Sequence, residues 1–413
     1  MSRLIKYVPL LLCLTACSDN NNFNAELAWN ELISTLNNDY AYLDKAGPEF
    51  DVLQAEFRNK MLAAKTEQEF IDLSQAFLRS FQDPHLNMGP YDTDDYSVYP
   101  TGADMYAEYV NGSAHIIDVK ADSSAFAQGL RPKMAIVQVD GVSIDDAIQI
   151  VTGRNVDALT PEQKNYALNI ALGGKRYQPR QLAILTTSGI NTVSLAASYD
   201  SINRLKEGPA VSFADMQGIG YIRFNNALGS EETVSGFREA LNTLKHSKAF
   251  IIDLRNTPSG GNTGVAEPIL GHFVNTEQPY QLYRVQQSAQ VYNQAPLQQA
   301  LVAPQLPHID KPFVALAGRW TGSMGEGMII ALDALGAKAV IGAPMADLLG
   351  GIKQVQLVAS GAWLELGFER LYHVNGSFRE DFVPSILLAA ADTDTNGDDP
   401  ALLAAIELLN QTE

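Results

Sequence analysis

The sequence predicts a mixed α/β protein in three segments: a helical N-terminal segment, a strand-rich middle and a C-terminal core of alternating strands and helices. Three observations carry this. Between about 25 and 92, apolar residues recur at spacings of two to four. Between about 93 and 203, short apolar runs are broken by turn signals such as Asp140-Gly141. From about 205 to 413, continuous apolar strands alternate with helical stretches, the pattern of a mainly parallel sheet covered by helices. The chain has 413 residues, 46% hydrophobic and 18% charged, which is enough apolar matter for folded cores. Its 47 acidic against 29 basic residues leave a net charge of -18. That argues against nucleic-acid binding and against a polybasic membrane patch, since both need clustered cations.

The first residues, MSRLIKYVPLLLCLTAC, read as a secretory leader: Arg3 and Lys6 precede a short apolar stretch that ends in small residues. Leu14-Thr15-Ala16-Cys17 resembles the bacterial lipoprotein box. This implies a signal peptide over 1–16 and a lipid on Cys17, the chain's sole membrane contact. Cys13 would leave with the leader, so no disulfide is expected. Ser18 is the residue type compatible with outer-membrane sorting, which implies an envelope protein facing the periplasm. Residues 17–24 read as a polar tether. Beyond the leader no run approaches the 18 apolar residues of a membrane span.

In the first segment Leu27, Trp29, Leu32, Leu36 and Tyr40, then Leu53, Phe57 and Met61, then Phe70, Leu73, Phe77 and Leu78, mark helices of a cap. In the second, strands are expected at 115–119, 134–139, 181–186 and 192–197, a short Ser- or Asp-capped helix after Ala121, and a helix over 144–151. Asp104, Asp122, Asp145 and Asp146 read as surface charge. In the third, strands are expected at 219–224, 249–254, 313–317 and 339–342. Helices are expected at 231–244, 264–273 and 326–335.

Three motifs carry chemistry. Gly318-Arg319-Trp320-Thr321-Gly322-Ser323-Met324-Gly325-Glu326 joins a strand to a helix. Ser323 falls at a helix N-terminus, where free backbone N–H groups stabilise an anion, as a nucleophilic Ser requires. Alone, the motif also reads as a Ser helix cap among turn glycines. Asp253-Leu254-Arg255-Asn256-Thr257-Pro258-Ser259-Gly260-Gly261-Asn262 is a glycine-rich loop that can offer a second oxyanion donor. It lacks the Gly-Lys-Ser/Thr ending of a phosphate loop. Asp83-Pro84-His85-Leu86 offers an imidazole base, one of six His with His115, His246, His272, His308 and His373.

Residues 116–148 resemble a PDZ domain of the bacterial, circularly permuted kind. Together with GYIRFNN, IIDLRNTPSGGN and RWTGSMGEGM, the chain resembles the carboxyl-terminal processing peptidase and tricorn-core family of serine peptidases. The resemblance implies a crotonase/Clp-like core of ββα units, an N-terminal helical cap over 25–92, a PDZ-like domain over 93–203 and a catalytic core over 205–413. It also implies cleavage of peptides or unfolded proteins through an acyl-enzyme with nucleophile Ser323. The N–H of Met324 and one from Gly260 or Gly261 would form the oxyanion hole. Processing peptidases place a Lys about 25 residues after the Ser; here that position falls near Leu348, and Lys353 is the nearest following Lys. The tricorn-like branch instead implies His85 as base and Glu380 as the orienting acid, with Glu326, three residues after Ser323, as the other candidate.

Two other readings compete. An α/β-hydrolase esterase would use Ser323, Asp347 and His373 in that chain order, although Thr321 replaces the leading Gly of its elbow. A non-catalytic peptide-binding protein could keep the same fold. No cofactor is expected, and no His/Cys/acid cluster has metal-ligand spacing. Asp392-Thr393-Asp394-Thr395-Asn396-Gly397 begins like a calcium loop, but Leu403 stands at its twelfth position.

Overall fold

A computed structural model describes residues 23–45, 49–287 and 292–411; the leader, Cys17 and most of the tether lie outside the described residues. The first helix, Ala25–Asp39, begins where Asn24 accepts the N–H groups of Glu26 and Leu27 at 3.1 Å. Helices Glu49–Ala63 and Glu67–Leu78 follow. Trp29, Phe57, Phe77 and Phe81 meet edge to face between them, a geometry aromatic rings prefer. Leu27, expected in this core, faces solvent instead.

The cap does not close on itself. Leu364 and Leu366 of the hairpin Ile352–Leu357 and Ala362–Gly367 complete its apolar cluster. The short strand Asn87–Gly89 pairs antiparallel with that hairpin, Asn87 opposite Glu365. The chain just before this strand, at His85, is therefore tied to the C-terminal core.

The middle segment is an antiparallel sheet in the order Met105–Val110, Ser113–Val119, Ala135–Val139, Arg180–Thr186, Gly189–Leu195, with Val142–Ser143 pairing on Ala135–Val139. Helix Ile144–Thr152 is capped by Ser143 and stopped by Gly153 at φ 65°. Helix Pro161–Gly173 was not expected, although Thr160 and Gln163 form a capping box with Pro at the first position. Asp104, read as surface charge, is buried and ion-pairs with the buried Arg180.

The core sheet runs Ile386–Leu387, Val340–Gly342, Phe313–Ala317, Ala249–Asp253, Ile219–Phe224, Val211–Met216, parallel except for the last, antiparallel pair. Helices Glu232–Thr243, Thr263–Leu270 and Met324–Ala334 pack with Ile222, Ile252 and Ala315; helix Pro400–Asn410 packs on the opposite face with Ile251 and Val314. This two-sided cover explains why the central strands are buried at every position and apolar throughout except Asp253, which pairs with Arg255 at 2.7 Å. A second sheet, Gln298–Val302, Gln278–Val285 and Glu369–Tyr372, fills a stretch to which the sequence assigned no element. The helix expected over 264–273 ends at Leu270 and tightens into a 3-10 turn. The calcium-like stretch docks on the middle segment: Asp118 accepts the backbone N–H of Ala391, Asp392 and Thr393. Among the described residues no helix is long and apolar enough to cross a membrane.

Candidate active site

The site forms at the carboxyl ends of the parallel strands Ala249–Asp253 and Phe313–Ala317, where open α/β sheets bind ligands. Their pairing extends beyond the strands. Thr257 bridges Thr321, and the Thr257 N–H donates to the Trp320 carbonyl at 3.1 Å. Both threonine hydroxyls donate to the Leu254 carbonyl, at 2.8 and 3.1 Å. Trp320 Nε1 anchors the second loop to the Ala103 carbonyl of the middle segment at 2.7 Å. The glycine-rich loop and the Ser323 loop are thus zipped side by side. Two glycines let them approach: a Cβ on Gly325 would lie 2.1 Å from Thr257 Oγ1, and one on Gly260, at φ 62°, would lie 2.4 Å from Ser323 Cβ.

Ser323 stands directly before helix Met324–Ala334 at φ 52° and ψ -114°, a region that side-chain-bearing residues rarely occupy. Such strain costs on the order of 1–3 kcal/mol and persists only where the surroundings over-determine it. Here they do. The Ser323 N–H donates to Glu326 Oε2 at 2.6 Å. Its carbonyl accepts from Gly327 N–H at 3.1 Å and from Arg379 Nη1 at 3.3 Å. Glu326 also accepts the N–H groups of Asp347 and Leu348, so this buried carboxyl fixes the Ser323 turn against the 347–348 turn. Burial pushes it up to about 8, against the pull of Arg379.

The N–H groups of Met324 and Gly261 make no hydrogen bond among the described residues, whereas Gly260 N–H donates to the Thr257 carbonyl at 2.9 Å. Of the two loop glycines, Gly261 is the free donor.

His85 lines the same cavity as Ser323, a volume of about 570 Å³ also bounded by Gly261, Met324, Leu348 and Arg379. Among the described residues the two side chains are not hydrogen-bonded to each other. The His85 Nδ1 lies 3.1 Å from the Leu349 carbonyl. A carbonyl only accepts, so this contact puts the proton on Nδ1 and leaves Nε2 with a free lone pair. Burial, then the Arg379 charge, lower the imidazole to about 4, against the backbone of Leu349 and Gly350.

Asp83, to which the sequence alone assigns no role, holds this arrangement. Its Oδ1 accepts the N–H groups of His85 at 2.9 Å and Leu349 at 3.2 Å; its Oδ2 accepts the Tyr40 hydroxyl at 2.8 Å. One buried carboxyl therefore ties the His85 backbone to the segment that orients its ring. Burial pushes it up to about 7, against those three donors. Asp83→Ala leaves three buried donors without an acceptor, each costing about 1–3 kcal/mol. We expect a loss of about 3–5 kcal/mol in denaturant unfolding, and a loss within about 1 kcal/mol for Asp83→Asn, which keeps an acceptor oxygen. Equal losses for the two variants would contradict this role.

The other expected residues sit elsewhere. Glu380 does not orient His85: its buried carboxylate lies 3.3 Å from Lys45 Nζ and 3.5 Å from Arg370 Nε. The 3-10 turn Arg379–Asp381 turns its neighbour Arg379 toward Ser323 and Leu348 and sends Glu380 to those two cations. Lys353 is bound to Asp39 at 2.7 Å. His373 accepts the Asn375 N–H on Nδ1 and has Nε2 3.2 Å from Asp333. Neither it nor Asp347 lines the Ser323 cavity, which removes the esterase arrangement. Among the described residues no group of three or more His, Cys, Asp or Glu is placed to hold a metal ion.

Residues 218–385 match the model of peptidase family S41. The structure of the photosystem II D1 C-terminal processing protease resembles this one with a TM-score of 0.56 at 16% identity, over 90% of this chain and 93% of its own. That of mature CPAF complexed with lactacystin does so with 0.60 at 14%, over 94% and 97%. A putative peptidase from Parabacteroides merdae does so with 0.59 at 14%, over 94% and 97%. At such identities the likeness is one of fold, and it agrees with the expected α/β architecture. No curated protein matches the sequence.

Proposed function

We propose that this chain, whose residues 218–385 match the model of peptidase family S41, cleaves peptides or unfolded proteins with Ser323 as nucleophile and His85 as base. The observation that carries this reading is a single cavity lined by Ser323 and by an imidazole whose proton is held on Nδ1. The Nε2 lone pair takes the Ser323 Oγ proton as Oγ attacks the scissile carbonyl. The developing oxyanion receives the N–H groups of Met324 and Gly261. The imidazolium returns the proton to the leaving amine, and water, deprotonated by the same Nε2, releases the acid from Ser323. In this scheme the Leu349 carbonyl does what an acid does in the Ser-His-Asp arrangement, at the lower charge that burial allows.

The leader and Cys17 support a lipid-anchored enzyme at the bacterial envelope, with the outer membrane facing the periplasm as the proposed site.

The test compares cleavage of a denatured protein by the wild type, His373→Ala and Glu380→Gln. We expect all three to cleave, within about tenfold of one another, since neither side chain lines the cavity. No cleavage by the folded wild type would favour the peptide-binding reading. Selective loss in His373→Ala would reinstate the esterase arrangement.

A further inference from the structure

The cavity holds a second cation that the proposed chemistry does not use. Arg176 lines it from the turn between helix Pro161–Gly173 and strand Arg180–Thr186. Its guanidinium carbon sits 3.5 Å from the Tyr91 ring centre and 5.2 Å from the Tyr199 ring centre. Both tyrosines line the same cavity. The platform is braced: Tyr91 meets Trp363 edge on at 5.1 Å, Arg176 N–H donates to the Asp95 carbonyl at 3.2 Å, and Tyr199 N–H donates to the Arg176 carbonyl at 3.4 Å.

A guanidinium held on aromatic faces usually spends its edge on a carboxylate. This one does not: its Nε is buried with no hydrogen-bond partner, and among the described residues no carboxylate ion-pairs with it. Glu365 lines the cavity too, but among the described residues no ion pair joins it to Arg176. Arg379, by contrast, is committed to the Ser323 and Leu348 carbonyls.

We propose that Arg176, fixed between Tyr91 and Tyr199, binds a carboxylate of the peptide lying in the Ser323 cavity, either an acidic side chain or the terminal carboxylate. A planar fork accepts a carboxylate through two parallel N–H bonds, which sets position as well as affinity. This inference rests on the peptidase reading, but its test uses binding without turnover, so the two fail separately.

The protein used is the full chain carrying Ser323→Ala. Three fluorescent peptides of one neutral sequence are titrated by anisotropy: amidated, amidated with one Glu, and with a free C-terminal carboxylate. We expect at least one anionic peptide to bind about tenfold tighter than the neutral amide. We expect that gain to vanish in Arg176→Gln and to persist in part in Arg176→Lys. Which anionic peptide gains identifies the source of the carboxylate. Equal binding of all three, no binding of any at millimolar concentration, or a gain that survives Arg176→Gln overturns the proposal. Should Arg176→Gln not fold, the comparison of peptides and the Lys variant still decide it.

Discussion

Ser323→Ala is expected to lower the rate of peptide cleavage by on the order of 10⁴-fold or more while leaving the fold intact. Removal of a nucleophile from a Ser-His site leaves only the acceleration supplied by binding and the oxyanion donors. The structural cost is small because the hydroxyl carries little of the packing. The Ser323 turn is held through its backbone, by Glu326, Gly327 and Arg379. Ala bears the same positive φ, so the local strain is unchanged, and unfolding free energy should stay within about 1 kcal/mol. Residual cleavage within tenfold of the wild type would place the nucleophile elsewhere.

Loss of His85 is expected to be nearly as severe, on the order of 10³-fold or more. Here stability and activity separate by choice of variant. His85→Ala strips the buried Leu349 carbonyl of its donor, at about 1–3 kcal/mol. His85→Gln supplies an amide donor in its place but no base, so it should keep most of the stability and none of the activity.

The pH dependence follows from burial. The neutral imidazole is the active form, and the folded protein lowers it from 6.5 to about 4. The His85 ring should therefore stay neutral as pH falls from 8 to 5 and take up its proton only near 4. Histidine ring NMR, assigned against His85→Gln, reads this directly. The unfolded chain binds that proton from about 6.5 downward, so His85 also withdraws stability as pH falls between 6.5 and 4. A midpoint near 6.5 would mean that the ring is not buried as described.

The parallel core was readable because its buried central strands are nearly continuous apolar runs, Ala249 to Ile252 and Phe313 to Ala317, set between helical stretches. Ser323 was readable for the same reason, since a Gly-flanked Ser between a buried strand and an apolar helix has one place to sit. What the sequence hid was tertiary. Tyr40 looked like another apolar position, yet its hydroxyl meets Asp83. Helix Pro161–Gly173 was masked because its apolar residues crowd into its second half, from Ala167 on, while its capping box stood in plain letters. The orienting partner of His85 is a main-chain carbonyl, and no side-chain pattern announces one. Glu380 turns away from His85 because the 3-10 turn Arg379–Asp381 sends Arg379 toward Ser323 and Glu380 toward Lys45 and Arg370.

One measurement bears most directly on a serine activated from across the cavity: labelling by a fluorophosphonate, read by intact mass and peptide mapping. A single adduct on Ser323 in the wild type, absent from Ser323→Ala and formed at least a hundredfold more slowly in His85→Gln, is the predicted result. An unlabelled Ser323, or labelling at an undiminished rate once the imidazole is gone, would contradict it.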